Sequence, residues 1–192
     1  MKTFIASGSH RQNGNTVAIV NELKKHLHGE VYKLNTINTK ISPCTACDYC
    51  QIYGECAIED EMQEIYDFIL EADNIVIASP VYFGDLSGSL LHWASRLQYL
   101  SWLKHSKKSL ALCPEQREAL CSKQRKGVII LVNGKEGYKG AAISTGKVLL
   151  NIMGAEDHEI LYWPDADAEN KPNLSNPNME KLIKLANSLN TR

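Results

Sequence analysis

Short apolar runs alternate with longer segments of helical periodicity along this chain. Five runs rich in Ile and Val have the length of buried strands: residues 3–6, 31–34, 75–79, 128–132 and 160–163. Apolar residues repeat at helical spacing over residues 17–27, 62–72, 90–100 and 148–152. Asn176-Pro177 predicts the start of a last helix, because proline suits the first helical position.

Alternating strands and helices predict a parallel sheet with helices on both faces. The sequence shows no internal repeat and no linker, so we expect residues 1–192 to form one domain. A cysteine-rich excursion occupies residues 35–59. A second excursion, residues 104–126, carries the densest basic segment, and we interpret it as solvated.

Composition and charge limit the partners and the cellular location that we expect for this protein. The net charge of −1 does not favour a nucleic-acid partner, which usually meets a clustered basic face. No apolar run approaches the roughly 20 residues that cross a bilayer, and the first apolar run is too short for a signal peptide. We therefore expect no membrane association and a cytoplasmic location, where the six cysteines favour thiols or metal ligands over structural disulfides.

Ligands of open parallel sheets bind beyond the carboxyl ends of the strands, which directs attention to three loops, residues 7–16, 79–88 and 133–146. The first loop, SGSHRQNGNT, combines short polar side chains, two glycines and Arg11 at the start of a helix. Such a loop can hold a phosphate, because the helix dipole and free N–H groups favour an anion. It lacks the Gly-Lys-Ser/Thr of a Walker loop. The alternative is a simple turn capped by Asn15 or Thr16.

The segment GSHRQNGNT resembles the G-S-x-R-x-x-G-N-T loop of the flavodoxin-like, NAD(P)H-dependent FMN reductases. This resemblance covers most of the chain, from residue 1 to about residue 160. It implies a flavodoxin-like three-layer α/β/α sandwich with a five-stranded parallel sheet in the order 2-1-3-4-5. It also implies that the FMN phosphate is bound by Ser9, Arg11, Asn15 and Thr16, with Asn13 nearby.

The second loop begins within EADNIVIASPVYFGD, a segment that resembles the family's strand ending in Ser-Pro-x-Tyr. The resemblance implies that the flavin ring is lined by Pro80, Val81, Tyr82, Phe83 and Gly84. The alternative is a strand that ends in a proline turn with core aromatics. The family usually has Lys and Asp-Arg in the following helix, where this chain has His92 and Ser95-Arg96, and we interpret these as structural positions.

The third loop, NGKEGYKGAAISTG, contains glycines that allow its backbone to approach a ligand closely. We expect Asn133 and Gly134 to contact the second edge of the flavin. A turn into a helix is the alternative.

Four cysteines have the spacing Cys44-x2-Cys47-x2-Cys50-x5-Cys56. The close spacing of Cys44, Cys47 and Cys50 resembles an iron–sulfur ligand set more than a zinc site, which usually has two separated pairs of ligands. The same spacing occurs in the iron–sulfur flavoproteins, a branch of this family with a [4Fe-4S] cluster. A [4Fe-4S] cluster, free thiols, a redox-labile disulfide and zinc stay open as interpretations. Asp60, after this loop, is interpreted as a helix cap.

The resemblance implies an FMN-dependent oxidoreductase that accepts hydride from NAD(P)H and passes electrons to a small acceptor such as flavin or quinone. No catalytic side chain is then needed, because the flavin carries the chemistry. One alternative is an iron–sulfur flavoprotein that transfers electrons between a ferredoxin-type carrier protein and FMN. Another is a flavodoxin-like FMN-binding module without turnover. The resemblance also implies a homodimer or homotetramer.

Overall fold

A computed structural model describes residues 1–164, 166 and 177–191. Its five strands form one parallel sheet in the order β2-β1-β3-β4-β5, which confirms the predicted topology. The strands are β1 Lys2–Ser7, β2 Glu30–Asn35, β3 Asn74–Pro80, β4 Lys126–Val132 and β5 Asp157–Trp163. Each contains one of the five predicted apolar runs, usually with a residue or two added at its ends.

Helices cover both faces of the sheet. The α-helices of the described residues are α1 Asn15–His26, α2 Tyr49–Tyr53, α3 Met62–Glu71, α4 Gly88–Ala94, α5 Gln98–His105, α6 Ser109–Leu112, α7 Pro114–Cys121, α8 Gly140–Ile152 and α9 Pro177–Leu189. A 3-10 turn, Ser95–Leu97, joins α4 to α5. Asn176, the predicted cap of α9, lies outside the described residues.

The central strands β1, β3 and β4 bury both of their faces, which explains their lack of polar alternation, whereas the edge strands β2 and β5 keep exposed residues. On one face, Phe4 and Ile75 belong to a core that includes residues of α3, α4, α5 and α8. On the other face, Ile5 and Val76 pack with residues of α1 and α9. The result is the three-layer α/β/α arrangement that the resemblance implied.

The segment 104–126 is not the solvated excursion that its charge suggested. It contains α6 and α7, and both Leu120 and Arg125 are buried. The Arg125 guanidinium donates hydrogen bonds to the carbonyl oxygens of four residues: Leu70, Ala119, Leu120 and Lys123. Burial lowers the pKa of Arg125 to about 10. The segment can pack on the core because these carbonyls accept hydrogen bonds from both terminal nitrogens of its one deeply buried cation.

The helix after the third loop begins earlier than predicted. It starts at Gly140, whereas its apolar pattern becomes visible only at Val148. Small and polar residues in its first two turns hide the periodicity. No helix within the described part of the chain is both long and apolar enough to cross a bilayer.

A substitution at Gly8 tests how closely the end of β1 and the start of α4 approach each other. A Cβ atom at this position would lie 2.2 Å from Ser87 Oγ and 2.9 Å from Leu90 Cβ. We expect Gly8→Ala to lower the free energy of unfolding by about 1–3 kcal/mol, because overpacking displaces the helix. Urea denaturation measures this loss.

Gly88→Ala is the matched control, because nothing lies within 4 Å of a Cβ atom built at Gly88. It should cause no loss of stability. Equal stability of the Gly8 variant and the wild type would contradict the close approach.

Candidate functional site

The first and second loops meet at one edge of the sheet because β1 and β3 are paired. Ser7 is in register with Ala78, and the Gly8 N–H continues the ladder by donating to the Ala78 carbonyl at 2.9 Å. The segments after β1 and β3 then leave the sheet at the carboxyl ends of its strands, where ligands of parallel sheets usually bind.

The first loop forms a compact turn around a buried serine. Ser9 Oγ donates to the Arg11 carbonyl at 3.1 Å and accepts from the Arg11 N–H at 3.3 Å. The Gly14 N–H donates to the same carbonyl at 3.1 Å. A Cβ atom at Gly14 would lie 2.9 Å from Arg11 Cβ, so the turn depends on glycine there. The serine is thereby held beside the start of α1.

The start of α1 has no capping side chain. Gly14 is its N-cap residue and cannot supply a side-chain acceptor. The alternative interpretation, in which Asn15 or Thr16 caps the helix, is therefore wrong. The Asn15 amide instead donates to the Ala166 carbonyl at 2.8 Å. A positive helix end without a side-chain cap is suited to an anion.

The predicted phosphate ligands differ in exposure. Ser9 and Thr16 are buried, Asn15 is half-buried, and Arg11 and Asn13 are exposed at the surface. The loop therefore combines buried short polar side chains with the long, exposed side chain of Arg11 at its rim. FMN binding by these residues stays a prediction.

The second loop makes a tight turn that leaves Phe83 exposed to solvent. Tyr82 and Asp85 exchange two backbone hydrogen bonds, each of 3.0 Å. Between them, Phe83 and Gly84 have positive φ values of 53° and 82°. Phe83 is fully exposed, while Pro80 and Val81 at the end of β3 are half-buried.

A shallow depression of about 450 Å³ lies between the first two loops. It is lined by His10, Tyr82, Phe83, Leu86, Gly88 and Leu91. The His10 and Tyr82 rings lie edge to face, with centroids 6.2 Å apart. His10 was not predicted here, because it occupies the variable position of the first-loop motif. Its neighbours Ser9 and Arg11 were the only sequence signal for its location.

The third loop reaches the second through Tyr138, which was also not predicted. A Cβ atom at Gly84 would lie 2.5 Å from Tyr138 Cδ1, and the Gly84 carbonyl accepts from the Ala142 N–H at 2.9 Å. Asn133 is tied to β5 by its N–H, which donates to the Trp163 carbonyl at 3.0 Å. Asn133 and Gly134 are half-buried, and their predicted flavin contact stays untested.

The four clustered cysteines line one small cavity of about 40 Å³. Cys47 is exposed, the other three are half-buried, and all four are free thiols. Within the described residues, no three His, Cys, Asp or Glu side chains are close enough to share one metal ion. Burial raises the pKa of Cys50, and the nearby charges of the other three thiols raise it further. The thiols thus surround a common space without converging on one point.

The backbone of the cysteine loop is held in a special conformation. Ala46 and Asp48 have positive φ values of 53° and 57°. The Ala46 N–H donates to Cys44 Sγ at 3.4 Å, and the Cys44 N–H donates to Ser95 Oγ at 3.0 Å. Amide donors to sulfur stabilise thiolates and iron–sulfur ligands.

A buried ion pair closes the base of this loop. Arg96 Nη1 lies 2.7 Å from Asp60 Oδ2, with no exposed Arg96 side-chain surface. Asp60 also accepts from the Ser42 and Met62 N–H groups. The N-cap residue of α3 is Glu61, so Asp60 precedes the cap position that was predicted for it and binds the first N–H of the helix from there. Burial opposes the charge of Asp60, but the hydrogen bonds from Arg96, Ser42 and Met62 outweigh it and hold its pKa below 3.8. Exposed His92 and buried Arg96 agree with their structural interpretation.

Residues 1–155 match the sequence model of the NADPH-dependent FMN reductases. The chain belongs to this family. Among its relatives are an iron–sulfur flavoprotein of Methanocaldococcus jannaschii, 38% identical over 93 residues, and one of Archaeoglobus fulgidus, 41% identical over 87 residues. The matches cover 47% and 44% of this chain and 48% and 44% of the relatives, so the chain spans about half the length of the relatives it matches.

Solved structures of flavin enzymes share this fold. An FMN-dependent NADH-azoreductase of Bacillus anthracis in complex with FMN has a TM-score of 0.63 at 13% identity, and the match covers all of both chains. An apo NADH:FMN oxidoreductase has a TM-score of 0.65 at 14% identity, covering 98% of this chain and 88% of the other. At these identities the likeness shows the flavodoxin-like fold alone.

The low pKa of Asp60 predicts a pH-dependent stability. A carboxyl group with a lowered folded-state pKa stabilises the fold above its unfolded pKa and loses this contribution as pH falls through the folded value. At neutral pH we expect Asp60→Asn to lower the free energy of unfolding by about 1.5–3 kcal/mol. The difference from the wild type should shrink below about pH 4, as measured by urea denaturation at several pH values.

Glu156→Gln serves as the control for this prediction, because Glu156 pairs with Lys104 at an exposed site. Its stability should equal that of the wild type. A pH-independent loss in the Asp60 variant would show that packing, not charge, is responsible.

Proposed function

We propose that this protein binds FMN at the first two loops and is an oxidoreductase that takes hydride from NAD(P)H. The observation that carries the proposal is the cradle formed by Ser9, Gly14 and the uncapped start of α1, next to an aromatic-lined depression. An anion and a flat ring are held by different surfaces, and this edge of the sheet offers both. The fold and the family support the same ligand.

In this proposal the phosphate lies against the first turn of α1. Ser9 and Thr16 offer short side chains that are buried before binding, so little entropy is lost when they bind. The Ser9 hydroxyl donates to the Arg11 carbonyl in the free protein and would exchange this acceptor for the phosphate. Arg11 reaches in from the exposed rim and adds a planar cation. Charged hydrogen bonds from these groups set the affinity for FMN over an unphosphorylated flavin.

The flavin ring is proposed to lie against residues 80–84. The turn at Phe83 and Gly84 follows Tyr82 with two positive φ values, and the Tyr138 ring packs against Gly84. FMN, when bound, supplies hydride acceptance and electron transfer. The protein binds the phosphate, orients the ring and leaves one face open to the nicotinamide and to a small acceptor such as flavin or quinone.

The phosphate assignment is tested by combining Arg11→Ala with Thr16→Ala. Each removes one donor to the phosphate, and a hydrogen bond to a charged group contributes about 1.5–3 kcal/mol. We expect FMN affinity to fall at least about tenfold, as measured by quenching of FMN fluorescence in the apoprotein.

Gln12→Ala is the control, because Gln12 is exposed in the same loop but has no assigned role. It should bind FMN like the wild type. Unchanged affinity in a folded double variant would remove the phosphate from this loop.

A second candidate function is electron transfer through a [4Fe-4S] cluster between FMN and an electron-carrier protein of the ferredoxin type. The observation that favours it is the common cavity of Cys44, Cys47, Cys50 and Cys56. In a cubane cluster each thiolate binds a different iron, so four thiols spaced around a cavity fit better than four converging on one point. Relatives named iron–sulfur flavoproteins support this proposal.

Cluster binding is tested by iron and acid-labile sulfide analysis of protein purified without oxygen. We expect about four irons per chain and a broad absorbance shoulder beneath the flavin bands. Cys50→Ser should lose most of the iron. Cys121→Ser, which removes an exposed thiol in α7, should keep it. Flavin bands without iron would mean that the protein is an FMN reductase without a cluster. Flavin bands that NAD(P)H does not bleach would mean that it is an FMN-binding module without turnover.

The assembly proposed with this function is a homodimer or homotetramer. The exposed aromatic surface of Phe83, Tyr82 and Tyr138 beside the proposed ring site supports it, since contiguous exposed apolar surface commonly marks an interface. Light scattering after size exclusion distinguishes these assemblies from a monomer.

A further inference from the structure

Arg96 connects the cysteine cavity to the buried charge beneath it. The residue lies in the 3-10 turn Ser95–Leu97 and is 1% exposed. Its side chain lines the same cavity as the four clustered cysteines. Among the described residues that line this cavity, it is the only lysine or arginine. A single fixed cation therefore faces four potential thiolates.

The guanidinium divides its hydrogen bonds between the two ends of the cysteine loop. Nη1 donates to Asp60 Oδ2 at 2.7 Å and to the Ser42 carbonyl at 3.0 Å. Nη2 donates to the Ile58 carbonyl at 3.2 Å and to Cys56 Sγ at 3.4 Å. The side chain thus fixes residues before and after the four cysteines and also contacts one sulfur directly.

The contact with sulfur singles out Cys56. Cys44 receives a backbone N–H bond from Ala46, which carries no net charge. Cys56 receives a charge-assisted bond from a cation that is removed from solvent. An interaction of this kind is strengthened by the low dielectric of the interior.

We propose that Arg96 is a positioning residue that holds Cys56 as the fourth cluster ligand and raises the reduction potential of the cluster. The proposal rests on the cluster proposed above. When the cluster gains one electron its negative charge increases by one, no bond is made or broken, and a fixed neighbouring cation favours the reduced form. Asp60 opposes this effect, because its carboxylate offsets part of the Arg96 charge.

The two charges predict potential shifts of opposite sign. Arg96→Gln removes the cation and should lower the midpoint potential of the cluster. Asp60→Asn removes the anion, keeps a side chain of the same shape, and should raise it. A merely structural role for Arg96 gives no reason for opposite shifts.

The experiment is a redox titration of the reconstituted protein with dithionite as the electron donor, followed by electron paramagnetic resonance of the reduced cluster. For Arg96→Gln we expect the ratio of reduced to oxidised cluster at a fixed potential to fall about tenfold, a shift of about 59 mV for a one-electron couple. Arg96→Lys should give a smaller shift, because it keeps the charge but loses the planar fork.

Gln98→Ala is the matched control, because Gln98 lines the same cavity without charge. It should leave the potential unchanged. The flavin midpoint, followed by absorbance in the same samples, should stay constant in all variants. If Arg96→Gln fails to hold a cluster, the Arg96→Lys and Asp60→Asn potentials decide the question.

Each outcome separates this inference from the proposed function. Opposite shifts for Arg96→Gln and Asp60→Asn support it. Unchanged potentials, or shifts of the same sign, in variants that contain the cluster overturn the role of Arg96 and leave the cluster in place. Wild-type protein that takes up no iron overturns both the cluster and this inference.

Discussion

The parallel pairing of β1 with β3 is the constraint on which the candidate site depends. Ser7, the last residue of β1, is in register with Ala78, and β3 continues only two residues further to Pro80, so the two loops leave the sheet side by side. Gly8 allows the start of α4 to approach β1, and this contact places the two loops around one depression. Neither loop alone offers both an anion cradle and an aromatic surface. Their combination follows from backbone hydrogen bonds that are distant from any ligand.

A second constraint is the burial of charge under the cysteine loop. Cys50 and Cys56 of the loop pack against the core, and the buried pair of Arg96 and Asp60 adds a polar attachment at its base. Removing one partner of such a pair is costly because the other charge remains buried without compensation. The pair therefore links the stability of the loop to the environment of Cys56. The Arg96 side chain both holds the loop in place and places a positive charge beside the Cys56 sulfur.

The fold could be predicted largely from the sequence, because buried strands and amphipathic helices leave strong local patterns. The order of the strands and the roles of the first two loops came from the family resemblance. The family match bears out that resemblance, whereas the site roles remain predictions. The segment 104–126 was misinterpreted because charge usually indicates exposure, and local patterns do not show that carbonyls from α3 and α7 accept hydrogen bonds from Arg125.

Other features of the site depend on contacts between residues far apart in the chain. The Tyr138 contact with Gly84 joins the third loop to the second across a long sequence separation. His10 enters the depression only because the first loop turns around Ser9. The Arg96 contact with Cys56 likewise spans 40 positions. Periodicity and motif spacing carry no information on such contacts.

The central claim is that the first loop binds the phosphate of FMN. The most direct test compares the affinities of the apoprotein for FMN and for riboflavin, which differ only in that phosphate, by fluorescence titration under identical conditions. Charge-assisted hydrogen bonds to the phosphate predict that FMN binds more than about tenfold more tightly. Equal affinities for the two flavins would contradict the claim.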